Sequence, residues 1–176
     1  MSVYVFNNFM PKIGIDTFVC EEAVIIGNVT IGKGCFIGPG AVLRGDVGRI
    51  EIGDYTSVQD NCIIHVSKDV LCKAGDYVTL GHGCILHGCT VKDYATIGMG
   101  ALVANNAVIE EWCIVAEGCV VVNGYVSEPE TILVGVPCKV IGKVTEEHKR
   151  KGLENKKRYA ELTLKYMDKK NFKRIK

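Results

Sequence analysis

Aliphatic residues return every six positions along most of this chain, and few folds accommodate that period. They stand at Ile13, Val19, Ile25, Ile31, Ile37 and Leu43, and again at Val91, Ile97, Val103, Ile109, Val115 and Val121. A 3.6-residue helix cannot hold that register. Four places after each anchor stands a small or slender residue: Thr17, Ala23, Val29, Cys35 and Ala41, then Ala95, Ala101, Ala107, Cys113 and Cys119. Each hexamer therefore has two inward positions. Gly32, Gly38 and Gly98 directly follow their anchors, where a corner at positive φ is expected. Lys33-Gly34 and Asn105-Asn106 suit the same corners. So short a unit cannot bury its apolar residues alone, so the units must stack into a solenoid.

This pattern resembles the hexapeptide-repeat superfamily over about residues 11–142. The resemblance implies an all-β fold, a left-handed parallel β-helix whose three hexamers form the three sides of each turn, and a homotrimer as the usual assembly. The left hand departs from the usual crossover rule and comes from the resemblance alone. Val134-Gly135-Val136-Pro137, followed by Cys138-Lys139, resembles the superfamily's exit from the repeat. A β-helix domain is thus expected over 1–144, and a C-terminal helix with a basic tail over 145–176. Thr145 reads as an N-cap, with Glu146 and Glu147 in the dipole-favoured first turn. Gly152 is expected to break or bend this helix. Leu153, Tyr159, Leu162 and Tyr166 form a stripe expected to pack back on the β-helix.

Composition narrows the functional classes. Lys and Arg total 21 against 20 Asp and Glu, a net charge of +1, which favours neither nucleic acid nor an anionic membrane surface as partner. MSVYVFNNFM lacks the features of a secretory leader and no stretch has the length of a membrane span, so a cytoplasmic location is expected. Nine cysteines are an odd number without any C-x-x-C pair. Cys35, Cys62, Cys84, Cys113 and Cys119 fall in the small inward slot, where a thiol acts as a small hydrophobe.

Departures from the six-residue register mark loops, and loops on a rigid scaffold tend to carry sites. Between Leu43 and Ile52 the spacing is nine, so Arg44-Gly45-Asp46-Val47-Gly48-Arg49 carries three extra residues. Between Ile64 and Ala74 it is ten, so Val66 to Lys73 carries four. Counting through both insertions puts Leu43, Ile64 and Leu86 on one side in successive turns. The residues that follow them, Arg44, His65 and His87, then stack in a column. Val58 and Leu80 fall on a second side, which brings Gln59 and Asp60 within one turn of Gly81 and His82.

Three neutral imidazoles with a fourth position open to water make a catalytic zinc site. His82 lies on a different side from His65 and His87, so the three converge only between chains of a threefold trimer. The fourth histidine, His148, lies in the charged tail and is read as solvated.

Leu43-Arg44-Gly45-Asp46, Val58-Gln59-Asp60-Asn61 with His65, and Gly81-His82-Gly83 through Leu86-His87-Gly88-Cys89 resemble the signature segments of γ-class carbonic anhydrases. The resemblance implies metal ligands His65 and His87 from one subunit and His82 from its neighbour. It implies that Gln59 hydrogen-bonds the water or bicarbonate, that Arg44 pairs across the interface with Asp60, and that Tyr159 reaches the site. Arg44, Asp46 and Asp60 also read as a network that orients the trimer. Zinc is the expected metal, with iron or cobalt also suited to nitrogen donors. Val47 occupies a position where well-studied relatives carry a proton-shuttling glutamate, and Val66-Ser67-Lys68-Asp69 offers no substitute. The readings that remain open are CO2 hydration to bicarbonate, acyl-CoA thioester hydrolysis, acyl transfer, and a metal-stabilised trimer without turnover.

Overall fold

The computed structural model of the protein describes residues 2–175. Strands of mostly two to four residues wind into a three-sided parallel β-solenoid, each in register with its neighbours one coil before and after. The first side stacks residues 42–44, Ile63–His65, Ile85–His87, Leu102–Val103 and Val120–Val121. A second stacks residues 50–52, Leu71–Ala74, Thr90–Val91 and Val108–Ile109. The third runs from Phe18–Val19 through Phe36–Ile37, Ser57–Val58, Thr79–Leu80, Thr96–Ile97 and Ile114–Val115 to Thr131–Val134. An antiparallel partner, Lys139–Lys143, closes that side.

The anchors meet on the axis of the prism. Ile25, Ile37, Leu43, Ile64, Leu80, Leu86, Ile97 and Ile109 are fully buried, as are the slot residues Ala23, Cys35, Ala41, Cys62, Cys84, Ala95, Ala101, Ala107, Cys113 and Cys119. Each large anchor contributes about 1.5–3 kcal/mol of burial energy. The first-coil anchors are the exceptions: Ile13 is exposed and Val19 only partly buried. All nine cysteines are free and buried, and burial pushes the Cys35 and Cys119 thiols up to about 11. Groups held so firmly as thiols are packing residues.

The corner glycines serve a different purpose from the expected one. Positive φ falls two positions later, at Gly34, Gly40 and Gly100 (64°, 69° and 65°) and at Asn106 (58°). Gly32, Gly38 and Gly98 are required by the stacking itself: a Cβ there would lie 2.8, 2.9 and 2.6 Å from the backbone nitrogens of Asp54, Asp60 and Glu117 in the next coil. One corner places Tyr55, Tyr77, Tyr94 and Trp112 at positive φ, a conformation that costs bulky residues energy. Their rings stack at centroid spacings of 5.1, 5.1 and 4.5 Å, which offsets that cost.

The first insertion is not a loop. It forms part of the continuous strand Val42–Ile52, which follows Val24–Ile31 around an edge of the prism and bulges between Gly45 and Ile50. The second leaves the ladder after His65 and rejoins it as Leu71–Ala74.

Helix α1 (Glu146–Met167) starts at Thr145, as its capping chemistry requires. His148 is exposed yet is more than solvated. Its Nδ1 accepts from the Thr145 backbone N–H at 3.1 Å while its own N–H donates to Thr145 Oγ1 at 3.3 Å, completing a capping box. The helix runs unbroken through Gly152. The ~1 kcal/mol that glycine costs is outweighed by packing further along, where Tyr159 meets Phe36 at 5.4 Å and Tyr166 meets Phe18 at 5.0 Å. Leu153, placed in the buried stripe by the sequence, is 45% exposed, and Lys156 is buried instead.

Candidate metal centre

Arg44, His65 and His87 stand in register on adjacent coils of the first side. Their backbone spacing is that of neighbouring strands, and inward Leu43, Ile64 and Leu86 fix which way each following side chain points. His65 Nδ1 and His87 Nε2 face one another at 3.2 Å. The outer nitrogens have partners of their own: His65 Nε2 meets Asp46 Oδ1 at 3.1 Å, and His87 Nδ1 meets Asn105 Oδ1 at 2.9 Å.

Carboxylate and amide oxygens only accept hydrogen bonds, so both outer nitrogens carry hydrogen. In neutral rings the two inner nitrogens then both present lone pairs. At 3.2 Å such a contact calls for a cation, either a shared proton or a metal ion. Two ligands at the ~2.0–2.1 Å Zn–N distance of a tetrahedral site lie roughly 3.3–3.4 Å apart, so the spacing of the pair matches that of two ligands of one ion.

Asp46 anchors the column from the side. Its other oxygen accepts from Arg44 Nη1 at 2.6 Å. Burial works against the Asp46 anion, but the bonds from Arg44 and His65 prevail and hold its carboxyl below the ordinary range. Val47, next in sequence, is exposed on a groove of about 430 Å³ that Asp46 and Arg49 also line.

His82 lies on the neighbouring side of the prism, at the end of the third-side strands. Its Nδ1 pairs with Asp60 Oδ2 at 2.7 Å, with both side chains more than two-fifths exposed. Gln59 is buried at 4% exposure, its backbone bonded to Leu80 and Cys62. Tyr159 is half-buried against Phe36, and burial followed by the nearby Asp60 charge raises its hydroxyl pKa. The candidates therefore form two groups within one protomer: Arg44, Asp46, His65 and His87 on one side, and Gln59, Asp60, His82 and Tyr159 on another. Arg44 and Asp60 take separate partners, Asp46 and His82. Among the described residues of one protomer no three His, Cys, Asp or Glu donors converge.

Two residues of the column escaped the sequence reading, Asn105 and Ser67, whose Oγ donates to Asn105 Oδ1 at 3.1 Å. The signal was present: Asn105 follows His87 by one eighteen-residue coil, and Ser67 lies in the second insertion two places after His65.

Comparison with known proteins agrees with the repeat and the fold. A family model described as bacterial transferase hexapeptide (six repeats) matches residues 10–45. The carnitine operon protein CaiE of Salmonella agona is 38% identical over 93% of this chain and 83% of its own. A protein of Methanocaldococcus jannaschii named probable carbonic anhydrase is 40% identical over 82% of this chain and 91% of its own. The crystal structure of a hexapeptide transferase family protein from Anaplasma phagocytophilum superposes with a TM-score of 0.90 at 35% identity, covering 94% of this chain and 98% of that one. Fold and repeat together define a left-handed parallel β-helix of the hexapeptide-repeat superfamily. Within it, the chain belongs to the γ-class carbonic anhydrase-like family.

Proposed function

We propose that the protein is a metal-dependent, γ-carbonic-anhydrase-like enzyme, active as a homotrimer, that reversibly hydrates CO2 to bicarbonate. Its centre lies between subunits, with His65 and His87 from one chain and His82 from the next. The observation that carries this reading is the facing pair of inner nitrogens at 3.2 Å, each held in its tautomer by an outer acceptor. A divalent metal bound there, zinc first and iron or cobalt as alternatives, supplies a water acidic enough to ionise near neutral pH.

The chain's own groups do the rest. Asp46 and Asn105 orient two of the imidazoles, and Asp60 orients the third. Gln59 supplies an uncharged amide for hydrogen bonding to water or bicarbonate. Arg44, already paired with Asp46, sets the subunit contact and reaches toward the neighbour's Asp60. Tyr159 closes the helix side of the pocket. With Val47 in place of a carboxylate, proton export depends on buffer molecules entering from the exposed groove, so turnover rises with buffer concentration.

A second reading, acyl-CoA thioester hydrolysis or acyl transfer, takes its support from the likeness to the carnitine operon protein and to the transferase family structure. One experiment separates the two. Protein purified without chelator is analysed for metal and assayed for CO2 hydration in a proton-carrying buffer beside acyl-CoA hydrolysis. About one metal per chain with CO2 hydration supports the proposal. Metal with acyl-CoA turnover alone favours the second reading, and protein without metal contradicts the first.

A further inference from the structure

Asn105 sits one coil beyond His87, beside Asn106 at its left-handed corner. Two donors from different coils converge on its side-chain oxygen, His87 Nδ1 at 2.9 Å and Ser67 Oγ at 3.1 Å. A third residue makes room for it: a Cβ at position 88 would collide with that same oxygen, and residue 88 is glycine. The backbone is pinned as well, since the carbonyl of Asn105 accepts from the N–H of Gly124 at 2.8 Å. That backbone bond recurs at other corners, as from Gly100 to His82 and from Gly118 to Met99, so it is the two donors on its side-chain oxygen that single Asn105 out.

We propose that Asn105 is a positioning residue of the metal centre. It fixes His87 in the tautomer with hydrogen on Nδ1, so that Nε2 presents its lone pair beside that of His65, and Ser67 holds Asn105 in that pose. The inference rests on the three-histidine reading above. An amide suits the task because its oxygen accepts without adding charge. With Asp46 on His65, the column then has an orienting acceptor at each end, one anionic and one neutral. Removing such a group usually weakens metal affinity about 10- to 100-fold.

The tautomer is read on metal-free protein from long-range proton–nitrogen NMR of 15N-histidine-labelled samples, and affinity from chelator competition with Co(II). Wild type should show His87 with hydrogen on Nδ1. Asn105→Ala should show mixed tautomers and about 10- to 100-fold weaker Co(II) binding with an altered visible spectrum. Asn105→Asp, which keeps the acceptor, should retain the Nδ1–H form, and Ser67→Ala should give an intermediate loss. An Asn105→Ala protein with wild-type tautomer and wild-type affinity would overturn the inference. Should wild type bind no Co(II), the proposed function fails by itself, because the NMR comparison still decides the role of Asn105.

Discussion

His65 and His87 are separated by one coil, and their nearest ring nitrogens stand 3.2 Å apart with an acceptor behind each ring. Unlike an ordinary imidazole contact, this one has both outer positions already used. The inner lone pairs are left for a cation, and the in-register backbone of adjacent coils brings the two rings together.

Asp46→Ala removes the acceptor behind His65 and the carboxylate bonded to Arg44. Metal affinity is expected to fall about 10- to 100-fold while the repeat stays folded. Chelator competition beside a thermal melt checks both halves. Unchanged affinity would mean that His65 is oriented by the backbone alone.

Two glycine substitutions separate the two uses of glycine in the coil. Gly100→Ala meets open space but imposes a side chain at φ 65°, and should cost about 1 kcal/mol. Gly98→Ala drives a Cβ into the backbone of residues 116–117 in the next coil and should cost more, about 1–3 kcal/mol or failure to fold. Urea denaturation of the pair orders them, and the reverse order would contradict the stacking explanation.

Lys156 is buried at 6% exposure on the inner face of α1, where Thr79 and Thr96 hydroxyls accept from it at 3.2 and 3.4 Å. Burial lowers its ammonium pKa from 10.5 to about 8. Between those values the unfolded chain binds more protons than the folded one, so stability rises with pH through that window. Below it the buried charge is a standing cost, on the order of 1–3 kcal/mol. Lys156→Met should stabilise the protein at pH 7 and flatten its stability profile between pH 8 and 10. Equal melts of variant and wild type at both ends would refute this.

Cys62 and Cys84 stack inside the coils that carry His65 and His82, with sulfurs 3.6 Å apart. As packing residues they should tolerate joint replacement by alanine with unchanged metal content and a modest loss of stability, about 1 kcal/mol each. Loss of metal in the double variant would give the thiols a part in the centre.

The period of six revealed the solenoid, its inward pairs and its exit, because a stacked core repeats the same environment coil after coil. The column of Arg44, His65 and His87 was legible for the same reason: once the two insertions are counted, register is arithmetic. What the sequence could not show is what happens between coils. Gly32 and Gly98 looked like turn residues because close backbone approach leaves no mark on the repeat. Residues 45–49 read as a loop, since pairing across a bulge depends on the partner strand. Asn105 does stand at the corner the repeat predicts, but its side-chain contact with His87 lies one coil away, where the repeat leaves no mark. Lys156 and Leu153 exchanged places on the helix because the third side offers hydroxyls where a lysine can end.

The most direct test of the account is complementation between subunits. His82→Ala and His87→Ala each remove one ligand, and neither homotrimer should hold metal tightly. Unfolded together in equal amounts and refolded, they should form mixed trimers in which about one quarter of the sites join an intact column to an intact His82 of the neighbour. Recovery of about one quarter of the wild-type metal content is the predicted result. Mixed trimers that recover none, or a His82→Ala homotrimer that keeps its metal, would contradict a centre shared between chains.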